Sequence, residues 1–300
     1  MSPAHEHQST GAPGIDERAR RTARRLLAGA GSATVSAYRL DPSRAGAYVA
    51  HALDVDGLIL IAIRPQPGTP LADAPDDRLI DVRLDIVLDS SEPGIRVTAA
   101  SAHVLGSLRW VPANWVETVL AESATPVCHC AITGEDPLGR VSELARTPGA
   151  RLALVQGSRV ILHGPDGVSR HMVEDLAGQG DEDSATPGTA WSPLEVLDAH
   201  EAVRSLGDLS LRALCEAVVA DEAPGSLCSR RPSVGVARSL IERVLVVDVD
   251  PWGLTLMHVG ADETRTVLVA LPGAPLAPAE IAPVLGALAD ELLPARFELG

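Results

Sequence analysis

The sequence contains no lysine, and this absence removes several kinds of site from consideration. All 25 basic residues are arginines, so the chain has neither a Schiff-base lysine nor the lysine of a phosphate-binding P-loop. Aromatic residues are also scarce, with one Phe, two Tyr and four Trp among 300 residues. Aromatic platforms on which bases or flavin rings could stack are therefore few.

Positive charge is in short supply as well, because the formal net charge is −15. An acidic surface repels phosphate backbones, so we expect no nucleic-acid partner. Long apolar runs are missing too: residues 58–63 form the longest, and they are far too few to cross a bilayer. The first 14 residues are polar and lack the apolar core of a secretory signal. We expect a cytoplasmic protein with no membrane partner.

The chain has four cysteines, Cys128, Cys130, Cys215 and Cys228. The first two stand two residues apart in a predicted strand, where they share a face. This spacing favours buried structural thiols over a metal site, which is typically built from C-x2-C pairs, so no metal site is predicted. A metal or redox role remains the alternative. A disulfide between Cys215 and Cys228 is disfavoured in a reducing cytoplasm.

Residues 78–111, RLIDVRLDIVLDSSEPGIRVTAASAHVLGSLRWV, are the segment around which the fold is predicted to form. Apolar residues alternate with charged ones from Ile80 to Asp89, which is typical of a strand with one buried face. A Pro-Gly turn leads to a second strand, in which we assign His103 to the apolar phase. The pair predicts an antiparallel hairpin that buries its apolar face in a barrel or sandwich.

The rest of the first half adds more strands and few helices. Residues 1–14 are predicted to be a disordered tail, and residues 15–176 an antiparallel barrel domain. Within that domain we predict helices at 16–29 and 112–122, a short strand around Cys128 and Cys130, and further strands at 33–40, 47–54, 58–64, 151–155 and 158–163.

The first predicted helix is locally basic, with arginines at 18, 20, 21, 24 and 25. Two interpretations stay open. The arginines form either a solvated face that offsets the acidic body of the protein or a face that binds a phosphate or propionate group.

The second half has a different pattern. Residues 177–191 are small and acidic with no periodicity, which indicates a linker. Ser192 and Glu195 then form a capping box that begins a helix, and helical pattern continues to about 219 with a break near Gly207. Strands at 241–249, 254–259 and 264–271 precede a last helix at 278–292. Residues 192–300 are therefore predicted to be a smaller α+β domain with helices, a three-stranded meander and a helix.

Three segments carry a resemblance to a known family: RVTAASAHVLGSLRWV in the barrel, and IERVLVVDVDPWGLTLMHVG and RTVLVALPGAPLAPAEI near the end. With this order of elements, the chain resembles the haem-utilisation branch of the pyridoxamine-phosphate-oxidase-like split-barrel family. Its second half resembles the domain of unknown function that often follows that barrel in actinobacteria. The resemblance implies an α+β protein with an FMN-binding-type split β-barrel. It also implies a homodimer with a haem or flavin pocket at the interface.

Three cofactor-binding residues follow from this resemblance. His103 is the candidate axial donor to haem, with a structural core histidine as the alternative. Arg109 lies where it could meet a propionate group, with a surface ion pair as the alternative for it and for Arg64. Flavin-binding relatives use basic side chains on the phosphate, and Arg64 could serve here for FMN. The family's C-terminal domain often has two histidines flanking an aspartate. The corresponding stretch here, residues 205–210, has serines in their place.

Two functional classes follow. One is a haem-utilisation-like protein that binds haem or a flavin at a dimer interface, with catalysis left open. The other is a non-catalytic binding or regulatory protein that keeps the fold without a cofactor. No catalytic triad, carboxylate pair or glycine-rich phosphate loop has convincing spacing in the sequence, so no catalytic residue is predicted.

Overall fold

The computed structural model describes residues 15–54, 57–123, 136–177 and 191–297. These residues form two antiparallel sheets, one of seven strands and one of four. Helices precede, cover and follow the sheets. The predicted α+β fold class with an antiparallel split barrel is confirmed.

Six strands of the first sheet close into a barrel. The seven strands of this sheet are β1 (Ser32–Ser36), β2 (Ala47–Leu53), β3 (Ile59–Ile63), β4 (Ile80–Asp89), β5 (Thr98–Trp110), β6 (Arg151–Gly164) and β7 (Gly167–Met172), and the first six form the barrel. Their order is β3-β2-β1-β4-β5-β6-β7, and an additional pairing between β3 and β6 closes the ring. Strand β7 pairs with β6 outside that ring. The barrel interior holds the alternate apolar residues of β4, β5 and β6, among them Ile86, Val104 and Leu162.

Helices seal the barrel at two places. Helix α1 (Ile15–Leu27) buries Ala23, Leu26 and Leu27 in the core that the barrel strands fill. Helices α2 (Val116–Ser123) and α3 (Pro137–Ala145) form a second apolar cluster with the outer surfaces of β2, β3 and β6. Asp136 caps α3, because its side chain accepts a hydrogen bond from the backbone of Leu138 at 3.1 Å. Helix α4 (Val173–Ala177) follows β7 directly.

The second sheet has its own core. Its helices are α5 (Pro193–Arg204), α6 (Gly207–Val219) and α7 (Pro278–Phe297), and its strands are β8 (Gly225–Pro232), β9 (Arg243–Asp250), β10 (Gly253–Val259) and β11 (Glu263–Ala270). The strand order is β8-β11-β10-β9. One face packs against the three helices through residues such as Leu214, Val246 and Leu285. The predicted capping box is present, since Ser192 and Glu195 exchange backbone and side-chain hydrogen bonds.

Strand β9 is the sheet edge that meets the barrel half of the chain. The backbone N–H of Val246 donates to the carboxylate of Glu92 at 2.7 Å, and the Val246 carbonyl accepts from the Ser90 hydroxyl at 2.6 Å. From helix α5, His200 Nε2 contacts the Val246 carbonyl at 3.1 Å, and Arg204 donates to the Val244 carbonyl at 3.0 Å. The turn between β4 and β5 thus satisfies part of an edge that would otherwise be open.

Several predicted elements need correction. The segments 151–155 and 158–163 are one strand, β6, and the predicted three-stranded meander gains a fourth strand, β8. Helices α3 and α4 and strand β7 were not predicted. The helical break near Gly207 is confirmed.

Three further predictions concern residues that the structure does not describe. The strand with Cys128 and Cys130 lies outside the described residues, as do the 1–14 tail and nearly all of the 177–191 linker. The domain boundaries drawn there stay predictions.

Candidate functional site

The three residues predicted to bind a cofactor do not lie together. His103 and Arg109 are six residues apart on the same strand, β5, which corresponds to roughly 20 Å at the usual rise of a strand. The Arg109 side chain is exposed beside the pairing partner Leu154. Arg64 follows the end of β3 and donates twice to the carbonyl of Pro148, at 3.1 and 2.7 Å.

His103 lies on the outer surface of the barrel, so the phase assigned to it was wrong. Its neighbours Ala102 and Val104 are fully buried in the core, whereas the His103 side chain is 39% exposed. The sequence around it, AASAHV, is small and apolar in both phases. Alternation alone therefore could not show which phase faces inward.

Register places His103 at the centre of a row of outward-facing residues. Across the sheet the row contains Asp85 on β4, His103 on β5, Ile161 on β6 and Arg170 on β7. The adjacent row, on the side of the β6–β7 turn, contains Ser101, His163 and Val168, and the row on the other side contains Arg83, Leu105 and Arg159. We call this outer surface of β4, β5, β6 and β7 the histidine face.

The imidazole of His103 is fixed by a carboxylate. Its Nδ1 lies 2.6 Å from Oδ1 of Asp85, and the other carboxylate oxygen of Asp85 accepts from Arg83 Nε at 2.8 Å. A ring that donates through Nδ1 leaves Nε2 as the basic nitrogen. Nε2 has no hydrogen-bond partner among the described residues. Asp85 thus holds the ring as metal-ligating histidines are usually held, with the second nitrogen available.

His163 is the nearest aromatic neighbour of this imidazole. The two rings meet edge to face, with centroids 5.2 Å apart and an angle of 80° between their planes. His163 is exposed. Two imidazoles and a carboxylate therefore share one small area of open sheet.

Cationic and apolar side chains surround the histidines. Arg159 and Arg170 are exposed and have no ion-pair partner in the parts of the chain that the structure describes. Leu105 is 60% exposed and Val168 68%, unusually open for large apolar side chains on a barrel wall. The face combines a nitrogen donor, cations and apolar surface, which are the features that a flat anionic metal complex requires.

Arg64 lies at a different place, a cleft of about 340 Å³ between the ends of β1, β2 and β3. Arg44 lines the same cleft, but its guanidinium donates to the side chain of Gln66. Both guanidinium groups therefore already have partners within the protein. A phosphate in this cleft would compete with the Pro148 carbonyl for Arg64.

Three arginines of α1, at positions 18, 21 and 25, serve neither of the two roles left open for this helix. Arg25 donates to both carboxylate oxygens of Asp248, at 2.8 and 2.9 Å, and the Arg21 guanidinium lies 4.2 Å from the ring centre of Trp252. Arg18 is buried and pairs with Asp166. This side of α1 is occupied by protein contacts, because it packs against the β6–β7 turn, β9 and the β9–β10 turn.

The described cysteines and carboxylates offer no second site. Cys215 and Cys228 are free thiols, and burial raises their pKa to about 12 and about 11, so both stay protonated at neutral pH. Within the described ranges, no group of three or more His, Cys, Asp and Glu residues could hold a bare metal ion. None of the helices described there is both long and apolar enough to span a membrane.

Sequence reasoning missed Asp85, His163, Arg159 and Arg170. Asp85 and His103 are 18 residues apart in the chain, and only strand register makes them neighbours. The alternating strand before His163 was recognised. The sequence does not show which residue of the preceding hairpin lies opposite His163 in the sheet.

Comparisons with known proteins give only distant likenesses. No family model and no curated protein sequence matches the chain. Among solved structures, a haem-binding protein from Mycobacterium smegmatis is similar over 91% of this chain and 97% of its own, with 13% identity and a TM-score of 0.44. A protein of unknown function from Agrobacterium tumefaciens covers 90% of this chain and 94% of its own, with 14% identity and a TM-score of 0.35. Likenesses this weak do not bear on ligand or activity, so function is argued from the histidine face.

Proposed function

We propose that this protein binds haem on the histidine face, where His103 Nε2 would hold the iron. The observation that carries the proposal is the 2.6 Å contact between His103 Nδ1 and Asp85, which orients the ring and leaves Nε2 available. Haem suits this face better than a bare ion, because haem iron needs only one or two protein ligands. A bare ion would need more donors than the described residues bring together.

The remaining parts of haem also have partners here. Arg159 and Arg170 are exposed cations without ion-pair partners among the described residues, and each suits a propionate carboxylate. Leu105, Ile161 and Val168 offer apolar contact to a porphyrin edge. Bound haem would supply an iron atom able to bind small ligands or exchange electrons. The protein would supply the ligand, its orientation and the surrounding polarity.

The proposal includes a second copy of the chain, which would cover the other side of the haem. An open sheet face leaves one side of a haem in water, and Leu105 and Val168 remain exposed on it. Packing two such faces together would cover these side chains and enclose the cofactor. The pocket would then lie between two barrels of a homodimer.

Haem titration into the parent and four variants, with Arg109→Ala as the fourth, tests the site. The parent is expected to develop a Soret band on binding haem, and His103→Ala is expected to lose it. Asp85→Ala should weaken binding by about 10–100-fold, because the ring loses the carboxylate that orients it. His171→Ala is the matched control, because His171 lies on β7 opposite Val160 of β6 and outside the histidine face.

The same titration has outcomes that contradict the proposal. Equal affinity in the parent and in His103→Ala would remove His103 from the site. If Arg109→Ala loses as much haem affinity as His103→Ala does, the result would instead favour the site predicted from the sequence. FMN is titrated in parallel, and tight FMN binding without haem binding would replace the proposed ligand. Binding of neither would favour the non-catalytic alternative without a cofactor.

A further inference from the structure

A loop at the far end of the second sheet combines the features of a surface that docks on anionic lipid. The loop joins β8 to β9 and spans residues 233–242. We use the name arginine loop for these residues together with the arginines that flank them at the end of β8 and the start of β9. Four arginines belong to it: Arg230 and Arg231 at the end of β8, Arg238 within the loop, and Arg243 at the start of β9. They form a local excess of positive charge on a chain with a net charge of −15.

These arginines are not neutralised by their surroundings. None of the four has an ion-pair partner in the described parts of the chain, and the first three are exposed. The nearby carboxylates of Glu242 and Glu263 are already paired, with Arg212 and Arg265 respectively.

Asp262 adds one further carboxylate at this end of the sheet, where its backbone carbonyl accepts from Ser233 at 2.9 Å. One carboxylate against four arginines leaves the arginine loop clearly cationic.

An exposed apolar side chain lies between Arg231 and Arg238 in the loop. Val234 is 90% exposed, more than any other large apolar side chain among the described residues. It precedes Gly235 in a tight turn closed by a 3.3 Å hydrogen bond from Val236 to the Ser233 carbonyl. Gly235 has φ of +81°, a value that glycine adopts readily at the third position of a type II turn.

The turn is held in place by the sheet. The Ser233 hydroxyl contacts the Gly260 carbonyl at 2.8 Å and the Thr264 hydroxyl at 3.0 Å. A fixed turn loses little conformational entropy when its tip is buried.

We propose that the arginine loop docks the protein on anionic phospholipid surfaces, with Val234 entering the interfacial region and the arginines contacting lipid phosphates. A purely electrostatic partner such as RNA would use the arginines but would gain nothing from a solvent-exposed valine at the apex. An anionic bilayer uses both, because apolar burial and charge attraction add at its surface. Such peripheral docking needs no spanning segment, but it departs from the expectation of no membrane partner, which was based on the lack of a long apolar run.

Vesicle co-sedimentation of the full chain without added haem tests this docking independently of the proposed haem site. The parent is expected to bind vesicles of equal parts phosphatidylglycerol and phosphatidylcholine at low salt, and not vesicles of phosphatidylcholine alone. The double variant Arg230→Gln/Arg231→Gln should bind about 30-fold more weakly, because each arginine near an anionic surface contributes about 1 kcal/mol. Val234→Asp should also lose binding, because it places a negative charge at the apex.

Matched controls separate the arginine loop from general charge effects. Arg39→Gln/Arg78→Gln makes the same change in net charge on the barrel half of the chain, and it should bind like the parent. Leu209→Asp changes a side chain that is 71% exposed on α6, and it should also bind like the parent. Arg230→Lys/Arg231→Lys keeps the charge and should retain binding within a fewfold.

Three results would overturn the proposal. The first is no binding of the parent to the anionic vesicles at low salt. The second is an equal loss of binding in the control and loop variants. The third is tighter binding of the parent to single-stranded RNA than to the vesicles.

Discussion

Among single residues, Asp250 is a carboxylate whose charged form is disfavoured by its burial. It lies at the β9–β10 turn, where its Oδ1 accepts hydrogen bonds from the backbones of Trp252 and Gly253, both at 2.8 Å. Burial is the main cause that raises the pKa of Asp250, and the neighbouring charge of Asp248 adds to it. Arg25 and Arg21 oppose this shift without cancelling it.

The raised pKa gives a stability prediction with a definite sign. The folded protein holds the Asp250 proton more tightly than the unfolded chain does, so stability falls as pH rises from the ordinary value of 3.8 through the raised pKa. Asp250→Asn keeps an acceptor oxygen and removes the charge. We expect it to raise the free energy of unfolding at pH 7, and we expect that gain to vanish below the ordinary pKa.

Urea denaturation at neutral and acidic pH measures this difference. Asp248→Asn is the control, because it removes the bidentate partner of Arg25 and should destabilise the protein at neutral pH. A loss of stability in Asp250→Asn at pH 7 would contradict this prediction, because it would show that the charged form of Asp250 stabilises the fold.

At the scale of elements, the β9 edge depends on one buried acid. Glu92 is 4% exposed, and its Oε1 accepts from the Val246 backbone while lying 3.5 Å from Arg204 Nε. Its second oxygen, Oε2, is buried without a hydrogen-bond partner. This contact joins the β4–β5 turn to a strand more than 150 residues further along the chain.

Removing that acid should loosen the contact between the two halves. Glu92→Ala leaves the buried Val246 N–H without its acceptor, so we expect it to reduce the free energy of unfolding by about 1–3 kcal/mol. Glu92→Gln keeps an acceptor oxygen and should cost clearly less. Urea denaturation measures both variants, and equal losses would show that the charge, and not the hydrogen bond, stabilises this edge.

The sequence predicted strands best where one face is apolar and the other charged. Residues 80–89 show that alternation, and β4 has the predicted bounds. Strands β7 and β8, GVSRHM and GSLCSRRP, are edge strands with polar residues in both phases, so no period marked them.

Strand β6 was divided wrongly because Gln156-Gly157-Ser158 looks like a turn. In the fold, Gly157 pairs with Gly106 at a bulge, where a Cβ on Gly106 would lie only 2.4 Å from the Gln156 carbonyl oxygen. The glycines allow two backbones to approach within one continuous pair of strands.

Only part of the candidate site could be predicted from the sequence, because strand register brings its residues together. His103 could be singled out from the sequence, because a histidine in a small-residue strand is conspicuous. Its partner Asp85 and its neighbour His163 depend on register across three strands. Similarly, the basic helix α1 was recognised, but its partners Asp166 and Asp248 lie more than 140 residues further along the chain.

At the scale of the whole molecule, charge is distributed very unevenly. Arg18 and Arg25 of α1 are engaged by carboxylates on the β6–β7 turn and the second sheet, respectively. Arg159 and Arg170 of the histidine face and the four arginines of the arginine loop lack ion-pair partners among the described residues. Arginines left without partners on so acidic a chain are the features on which both proposals depend.

Light scattering of the haem-loaded protein, with the Soret absorbance recorded on the same peak, tests whether two histidine faces enclose haem. If two histidine faces enclose haem, the parent should elute at twice the 31.3 kDa mass of the chain with the Soret band on that peak. His103→Ala should keep a dimeric mass or dissociate, but it should carry no haem in either case. A monomeric parent that carries haem would contradict the enclosed pocket, and a His103→Ala protein with an unchanged Soret band would contradict the haem site itself.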